Sequence, residues 1–78
     1  MAERLPSGWR LVAVEWIDVE QSWSVGAARY IGKSKDRVWT HHVRVQARNM
    51  LDAALDAMAD LAEGCAGYEA RKPWEKAA

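Results

Sequence analysis

The sequence predicts an α+β domain in which a three-stranded antiparallel meander is followed by one amphipathic helix packed on one face of the sheet, a βββα order. Residues 9–45 alternate between apolar and polar positions and are rich in tryptophan and β-branched residues. Residues 50–63 instead repeat their apolar positions every three or four residues. The chain also has five tryptophans and no phenylalanine, and most of these indoles fall in the predicted sheet.

Length and composition limit the class of protein. A chain of 78 residues makes one domain and buries only roughly 60% of its unfolded surface, so self-association as a homodimer is an expected source of extra stability. Eleven basic and eleven acidic residues give no net charge, hence no general attraction to nucleic acid or to an anionic membrane. With a single cysteine, no apolar run of spanning length and no signal-peptide pattern, a cytoplasmic protein is expected.

The strands are expected after a short leader, residues 1–8, which ends in a turn-prone Pro-Ser-Gly. Residues 9–17, 22–31 and 37–45 carry the extended pattern, and a polar, basic turn at residues 32–36 separates the last two. The sheet therefore reads as a meander of neighbouring antiparallel strands.

One register gathers the apolar side chains onto a single face, since a slip of one residue would send them to opposite sides. It pairs Trp16 with Trp23 and Val25 with Val43. The core face that follows holds Val12, Val14, Trp16, Trp23, Val25, Ala27, Trp39, Val43 and Val45.

The helix is predicted over residues 50–63. Asn49 suits the N-cap, Asp52 favours the free N–H groups of the first turn, and Gly64 is expected to end the helix. Residues 65–78 are expected to be a partly ordered tail. The apolar stripe that should face the sheet comprises Met50, Leu51, Ala54, Leu55, Met58, Leu61 and Ala62.

Catalytic, metal and cofactor sites are not predicted. His41 and His42 are adjacent in a strand, so they point to opposite faces and cannot chelate one ion together. No nucleophile elbow, phosphate-binding glycine loop or paired carboxylates appear in the sequence. A small meander with one helix also has little interior for a concave active site.

The sheet face opposite the helix is the first candidate binding surface. Small residues occupy its centre, and Trp9, Tyr30, His42 and Arg44 are expected around them. Tryptophan, tyrosine and arginine are frequent anchors in protein interfaces, which favours a protein partner. In the competing interpretation, Trp9 and Tyr30 only cover each other as a cross-strand pair.

The second candidate is a basic hairpin formed by Lys33, Lys35 and Arg37, with Arg44 nearby. Together with the stretch from Arg37-Val38-Trp39 to Asp52-Ala53-Ala54-Leu55, the strand and helix order resembles the plant AP2 type and the arm-binding domains of phage integrases. That resemblance implies strands inserted into the major groove of DNA. The neutral chain favours the competing interpretation of a solvated turn.

The third candidate is an acidic ridge on the predicted helix, formed by Asp52, Asp56, Asp60 and Glu63. Like charges four residues apart repel mildly, so the ridge would accept a basic partner surface, such as that of a nucleic-acid-binding effector complex. The competing interpretation is an outer face that only keeps the protein soluble.

In size, layout and composition the chain is similar to small phage or prophage accessory proteins, among them anti-CRISPR inhibitors. That resemblance implies occlusion of a basic nucleic-acid-binding surface, with the acidic ridge in contact. The leading hypothesis is a non-enzymatic protein-interaction module that blocks a larger partner. The alternatives are a DNA-binding module and a structural protein that self-assembles through Ala13, Gly26 and Ala28.

Overall fold

The computed structural model describes residues 4–31 and 38–76, and the predicted βββα fold is confirmed. The three strands pair antiparallel in the order β1-β2-β3, and the long helix lies on one face of this sheet. The elements are β1 (Trp9–Ile17), β2 (Ser22–Tyr30), β3 (Val38–Val45), α1 (Met50–Arg71) and α2 (Pro73–Lys76).

The predicted register is right between β2 and β3 and over the second half of β1. Trp16 pairs with Trp23 and Val25 pairs with Val43. A β-bulge interrupts β1, where Leu11 rather than Val12 pairs with Ala27, so the predicted position of Val12 on the core face is wrong. Val12 has no partner in β2 and is 53% exposed.

The bulge exchanges the two faces of the first part of β1. An extra residue reverses the alternation of side chains before it, because the side-chain period of a strand is two. Trp9 pairs with Arg29, shares the helix-covered face and is only 7% exposed. The prediction that Trp9 lies on the open face as a partner-binding residue is therefore wrong, and Trp9 belongs to the core.

Helix α1 is longer than predicted. It begins after Asn49, whose side-chain oxygen accepts a hydrogen bond from the backbone N–H of Asp52 at 2.9 Å, as expected of an N-cap. It ends at Lys72, which has a left-handed backbone (φ 47°) and donates its N–H to the carbonyl of Tyr68. Pro73 follows directly and opens the next helix, because proline cannot continue the preceding one.

The predicted helix end at residue 63 is thus wrong. Within the predicted partly ordered tail, residues 65–71 and 73–76 are helical, and residues 77 and 78 lie outside the described residues. Gly64 lies within α1, residues 65–71 complete that helix, and residues 73–76 form α2. Trp74 of α2 is 4% exposed and joins the core. The chain after residue 64 therefore closes one end of the core.

The buried side of α1 also differs from the predicted stripe. The residues that are fully enclosed recur every four positions and are mostly small: Ala53, Ala57, Leu61 and Cys65. The sheet face beneath carries several tryptophans, so a row of small helix side chains allows close approach where a row of leucines would not. The predicted core positions Met50, Leu51 and Leu55 are instead 56%, 68% and 65% exposed.

An aromatic cluster fills the end of the core at the C-terminal end of α1. The ring of Trp9 stacks on Tyr68 with centroids 6.3 Å apart, and Trp39 and Trp74 lie 5.8 Å from each other. Arg29 places its guanidinium over the Trp74 ring at 4.9 Å. This cluster anchors α2 against the sheet.

Candidate interaction surfaces

The open sheet face keeps three of its four predicted binding residues. Tyr30 is 49% exposed, and His42 and Arg44 are exposed on β3. Trp9 lies on the other face, so the suggested Trp9–Tyr30 cross-strand pair is also wrong.

The side chains of Arg44 and His42 on this face contact other residues of the chain. Arg44 donates from Nε to Glu20 at 2.8 Å and from Nη1 to the hydroxyl of Ser24 at 2.9 Å. The His42 ring lies against Gly26, so closely that a β-carbon there would overlap it. These side chains lie along the sheet and cover the small residues of β2, which is why Ser24 is only 5% exposed.

The acidic ridge has the predicted arrangement on α1. Asp56, Asp60 and Glu63 are exposed, and Asp52 is half-buried beside the N-cap. Within residues 4–31 and 38–76, Asp52 is the only ridge member with an ion pair, to Arg48 at 4.0 Å. The ridge therefore presents three carboxylates to water.

Most residues of the predicted basic hairpin lie in a part of the chain that the structure does not describe. Lys33, Lys35 and Arg37 lie outside the described residues. Arg44, the fourth member of the predicted DNA-binding set, forms a salt bridge with Glu20. DNA binding through this hairpin stays a prediction.

A further surface, not foreseen from the sequence, lies along the other flank of α1. Leu51 and Glu69 are 18 residues apart, which is about five turns of an α-helix, so they share one flank. Glu69 accepts a hydrogen bond from Trp9 Nε1 at 2.8 Å and another from Arg29 Nε, which fixes this flank on the β1 side of the helix. Leu55 follows Leu51 by one turn and faces the same way.

Strand β1, on the side of the sheet that this flank of α1 faces, also has exposed apolar side chains. Leu11 is 38% exposed and Trp16 is 45% exposed, although both lie on the helix-covered face of the sheet. A three-stranded sheet is about 14 Å wide and a helix about 10 Å, so one helix cannot cover it all. Helix α1 lies closer to β3 and β2 than to β1. We call the resulting surface the apolar trough and define it by Leu11, Trp16, Leu51 and Leu55.

The apolar trough is held in shape by contacts within the chain. Trp16 packs edge-to-face on Trp23 at 5.6 Å, and its indole N–H points to Asp18 at 3.3 Å. On the helix, the neighbouring flank positions are uncharged: Met58, Ala59, Ala62 and Ala66. Helix α1 therefore carries an apolar flank and an acidic flank along the same 22 residues.

The sequence did contain a signal for this trough. Leu51, Leu55, Met58 and Ala62 follow a four-three-four spacing, which marks an apolar seam on a helix. The sequence predicts that these positions pack on the sheet. The row of alanines beside them packs closer to the tryptophans instead, so Leu51 and Leu55 face outward, whereas Met58 is half-buried and Ala62 is buried.

Titratable groups in the core have pKa values that favour their neutral forms. Burial, with a smaller contribution from the neighbouring His42, lowers the pKa of His41. Burial and the nearby Glu69 carboxylate raise the pKa of the Cys65 thiol to about 11. In the part of the chain that the structure describes, there is no enclosed pocket and no group of three metal-ligating side chains.

The chain was compared with known proteins on three levels. No family model, no curated protein and no solved structure matches it. None of the described helices has both the length and the apolar character needed to cross a membrane. The surfaces themselves are therefore the basis for a functional proposal.

Proposed function

We propose that this protein is a non-enzymatic protein-interaction module whose main docking surface is the apolar trough. The observation that carries the proposal is the exposure of Leu51 and Leu55, at 68% and 65%, beside the half-exposed Trp16. Single exposed apolar side chains are ordinary at protein surfaces, whereas a group of large ones on one side of a domain is typical of a protein-binding surface. An indole at its edge supplies the kind of anchor that dominates interface energies.

The size of the trough supports this proposal. With its neighbour Met50, the trough exposes on the order of 600 Å² of apolar side-chain surface, at the upper end of what monomeric proteins show. Removing that area from water would contribute on the order of 15 kcal/mol before the costs of association. A partner that covers the trough with apolar side chains would recover a large part of this free energy.

The acidic ridge is the second candidate contact, for a basic surface on a larger protein. It is favoured by the three exposed carboxylates Asp56, Asp60 and Glu63, which form no ion pair within the described residues. Action as a phage-type inhibitor, in which the ridge occludes a nucleic-acid-binding surface, belongs to this candidate. Exchange of Asp56 and Asp60 for lysine should then abolish partner recovery and leave the fold intact.

Site-specific photocrosslinking tests the proposed docking surface. A photoreactive amino acid is placed at position 55 in the trough and, as a matched control, at position 19, where Val19 is 95% exposed in the turn between β1 and β2. We expect covalent adducts with protein from position 55 and none above background from position 19. Equal labelling from both positions, or none from position 55, would show that the trough is not a docking surface.

A further inference from the structure

We propose that the occupant of the apolar trough is a second copy of this chain, so that the protein is a two-fold homodimer. This inference rests on the proposed function, because it requires the trough to dock protein. In the dimer, Leu51 and Leu55 of each copy cover Leu11 and Trp16 of the other.

Self-complementarity is the first argument. Each copy offers both halves of the contact: projecting leucines on α1, and indole and leucine side chains on β1 that α1 leaves uncovered. A two-fold interface places the α1 leucines of each copy on the exposed β1 side chains of the other copy. One helix is too narrow to cover all three strands. In the dimer, the part of β1 that α1 leaves exposed is covered by the second copy.

The available area is the second argument. On the order of 600 Å² of apolar surface per copy gives on the order of 1,200 Å² for the pair, which reaches the range of specific protein interfaces. The trough is therefore large enough for a dimer when it is used by both copies.

Charge is the third argument. The chain has no net charge, so two copies approach each other without overall repulsion. The trough residues are themselves uncharged, and the exposed carboxylates Asp56, Asp60 and Glu63 lie on the other flank of α1. A dimer closed through the trough thus keeps both acidic ridges in water, where they remain free for a basic partner.

The free edge of β1 is the competing way to pair two copies, by continuing the sheet from strand to strand. The bulge at Val12 interrupts the regular spacing of backbone groups along this edge. Bulges of this kind are a common device against edge-to-edge pairing. Contact through the trough is therefore favoured over pairing along the β1 edge.

Molar mass in solution tests the dimer. The chain has a mass of 8.8 kDa, and we expect twice that value by light scattering or sedimentation at concentrations up to about 1 mM. The double variant Leu51→Ser/Leu55→Ser should weaken dimerisation by at least about 10-fold, whereas Val19→Ser should not change it. Near-ultraviolet circular dichroism of the tryptophans checks that each variant is folded.

Disulfide trapping distinguishes the two arrangements. In a mixture of the Leu55→Cys and Leu11→Cys variants, contact through the trough predicts a mixed disulfide between the two chains. Pairing along the strand edge predicts instead that Val12→Cys chains link to each other, which would overturn the proposal. The native Cys65 is buried and does not interfere.

The two proposals can fail separately. A monomeric wild type, or a dimer that survives the double serine variant, would refute the second copy as occupant. If position 55 then still crosslinks to another protein, the proposed function stands with a different partner. If neither self-association nor crosslinking depends on the trough, both proposals fail.

Discussion

The imidazole ring of His41 lies against Gly64 of α1, at a place where a β-carbon would overlap the ring. His41 belongs to β3, so this contact sets how closely the helix approaches that edge of the sheet. Tyr68, one turn further along α1, packs edge-on against the same ring with centroids 5.3 Å apart. Glycine at position 64 is thus a packing residue rather than a helix terminator.

Replacing Gly64 with alanine should destabilise the protein. The methyl group would displace His41 at a cost of about 1–3 kcal/mol, which exceeds the gain of up to about 1 kcal/mol in helix propensity. Gly67→Ala is the matched control, because its nearest neighbour is Arg71 Nη2 at 3.9 Å. That variant should gain about 0.5–1 kcal/mol. Urea denaturation of both variants measures the difference.

A double-mutant cycle checks the cause. If the ring of His41 is what the new methyl group meets, His41→Ala should remove most of the penalty of Gly64→Ala. Additive effects would show that the loss arises elsewhere in the helix.

The free energy of unfolding should decrease as the pH falls below about 6.5. Burial lowers the pKa of His41 in the folded protein from its usual 6.5, so the unfolded chain binds the proton more readily. The contribution is fully present above that value and is lost as the pH falls towards the folded pKa. Denaturation between about pH 7.5 and 5.5 should show the slope, and His41→Gln should reduce it. An unchanged slope would assign the effect to another group.

Loss of the Glu69 carboxylate should destabilise the end of the core. Its Oε1 atom accepts hydrogen bonds from both Trp9 and Arg29, and Glu69→Gln should cost about 1–3 kcal/mol. Glu20→Gln is the comparison, since the Glu20–Arg44 pair is nearly half exposed and such pairs contribute about 0–1 kcal/mol. Thermal denaturation followed by tryptophan fluorescence reports on both. Equal losses would contradict the importance of burial at Glu69.

The thiol of Cys65 should not react while the protein is folded. Its side chain is fully buried, and its pKa of about 11 leaves almost no thiolate at neutral pH. A thiol reagent such as Ellman's reagent should therefore react quickly in denaturant and very slowly in its absence. Fast reaction of the native protein would mean that α1 opens from the sheet.

The sequence predicts the strands, the β2–β3 register and the N-cap of α1 correctly, because each depends on local patterns. Alternating apolar residues define the pairing of Val25 with Val43, and Asn49 followed by Asp52 defines the helix start. The bulge at Val12 is not visible in the pattern, since valine suits either face of a strand. For that reason the alternating pattern predicts the wrong face for Trp9.

The predictions for the helix fail for a different reason. The helical periodicity of α1 is predicted correctly. However, two neighbouring sides of the helix are apolar, and hydrophobicity alone favours the side with the leucines over the side with the alanines for packing on the sheet. Packing reverses this choice, because the tryptophans of the sheet leave room mainly for small side chains such as Ala53 and Ala57 beside the single buried Leu61. Glycine is typical of a helix end, but at position 64 it is required because a larger side chain would overlap the ring of His41. Both outcomes depend on tertiary contacts that no local pattern contains.

The unpaired Val12 affects how readily strand β1 can pair with strands of other molecules. Deleting this residue would preserve the pairs of Leu11 with Ala27 and of Ala13 with Gly26, and would leave β1 a straight and regular strand. A regular outer strand rich in tryptophan and valine is a template for open-ended fibril growth. The single additional valine thus makes the outer strand a poorer template for such growth, at the cost of one irregularity in an otherwise ordinary meander.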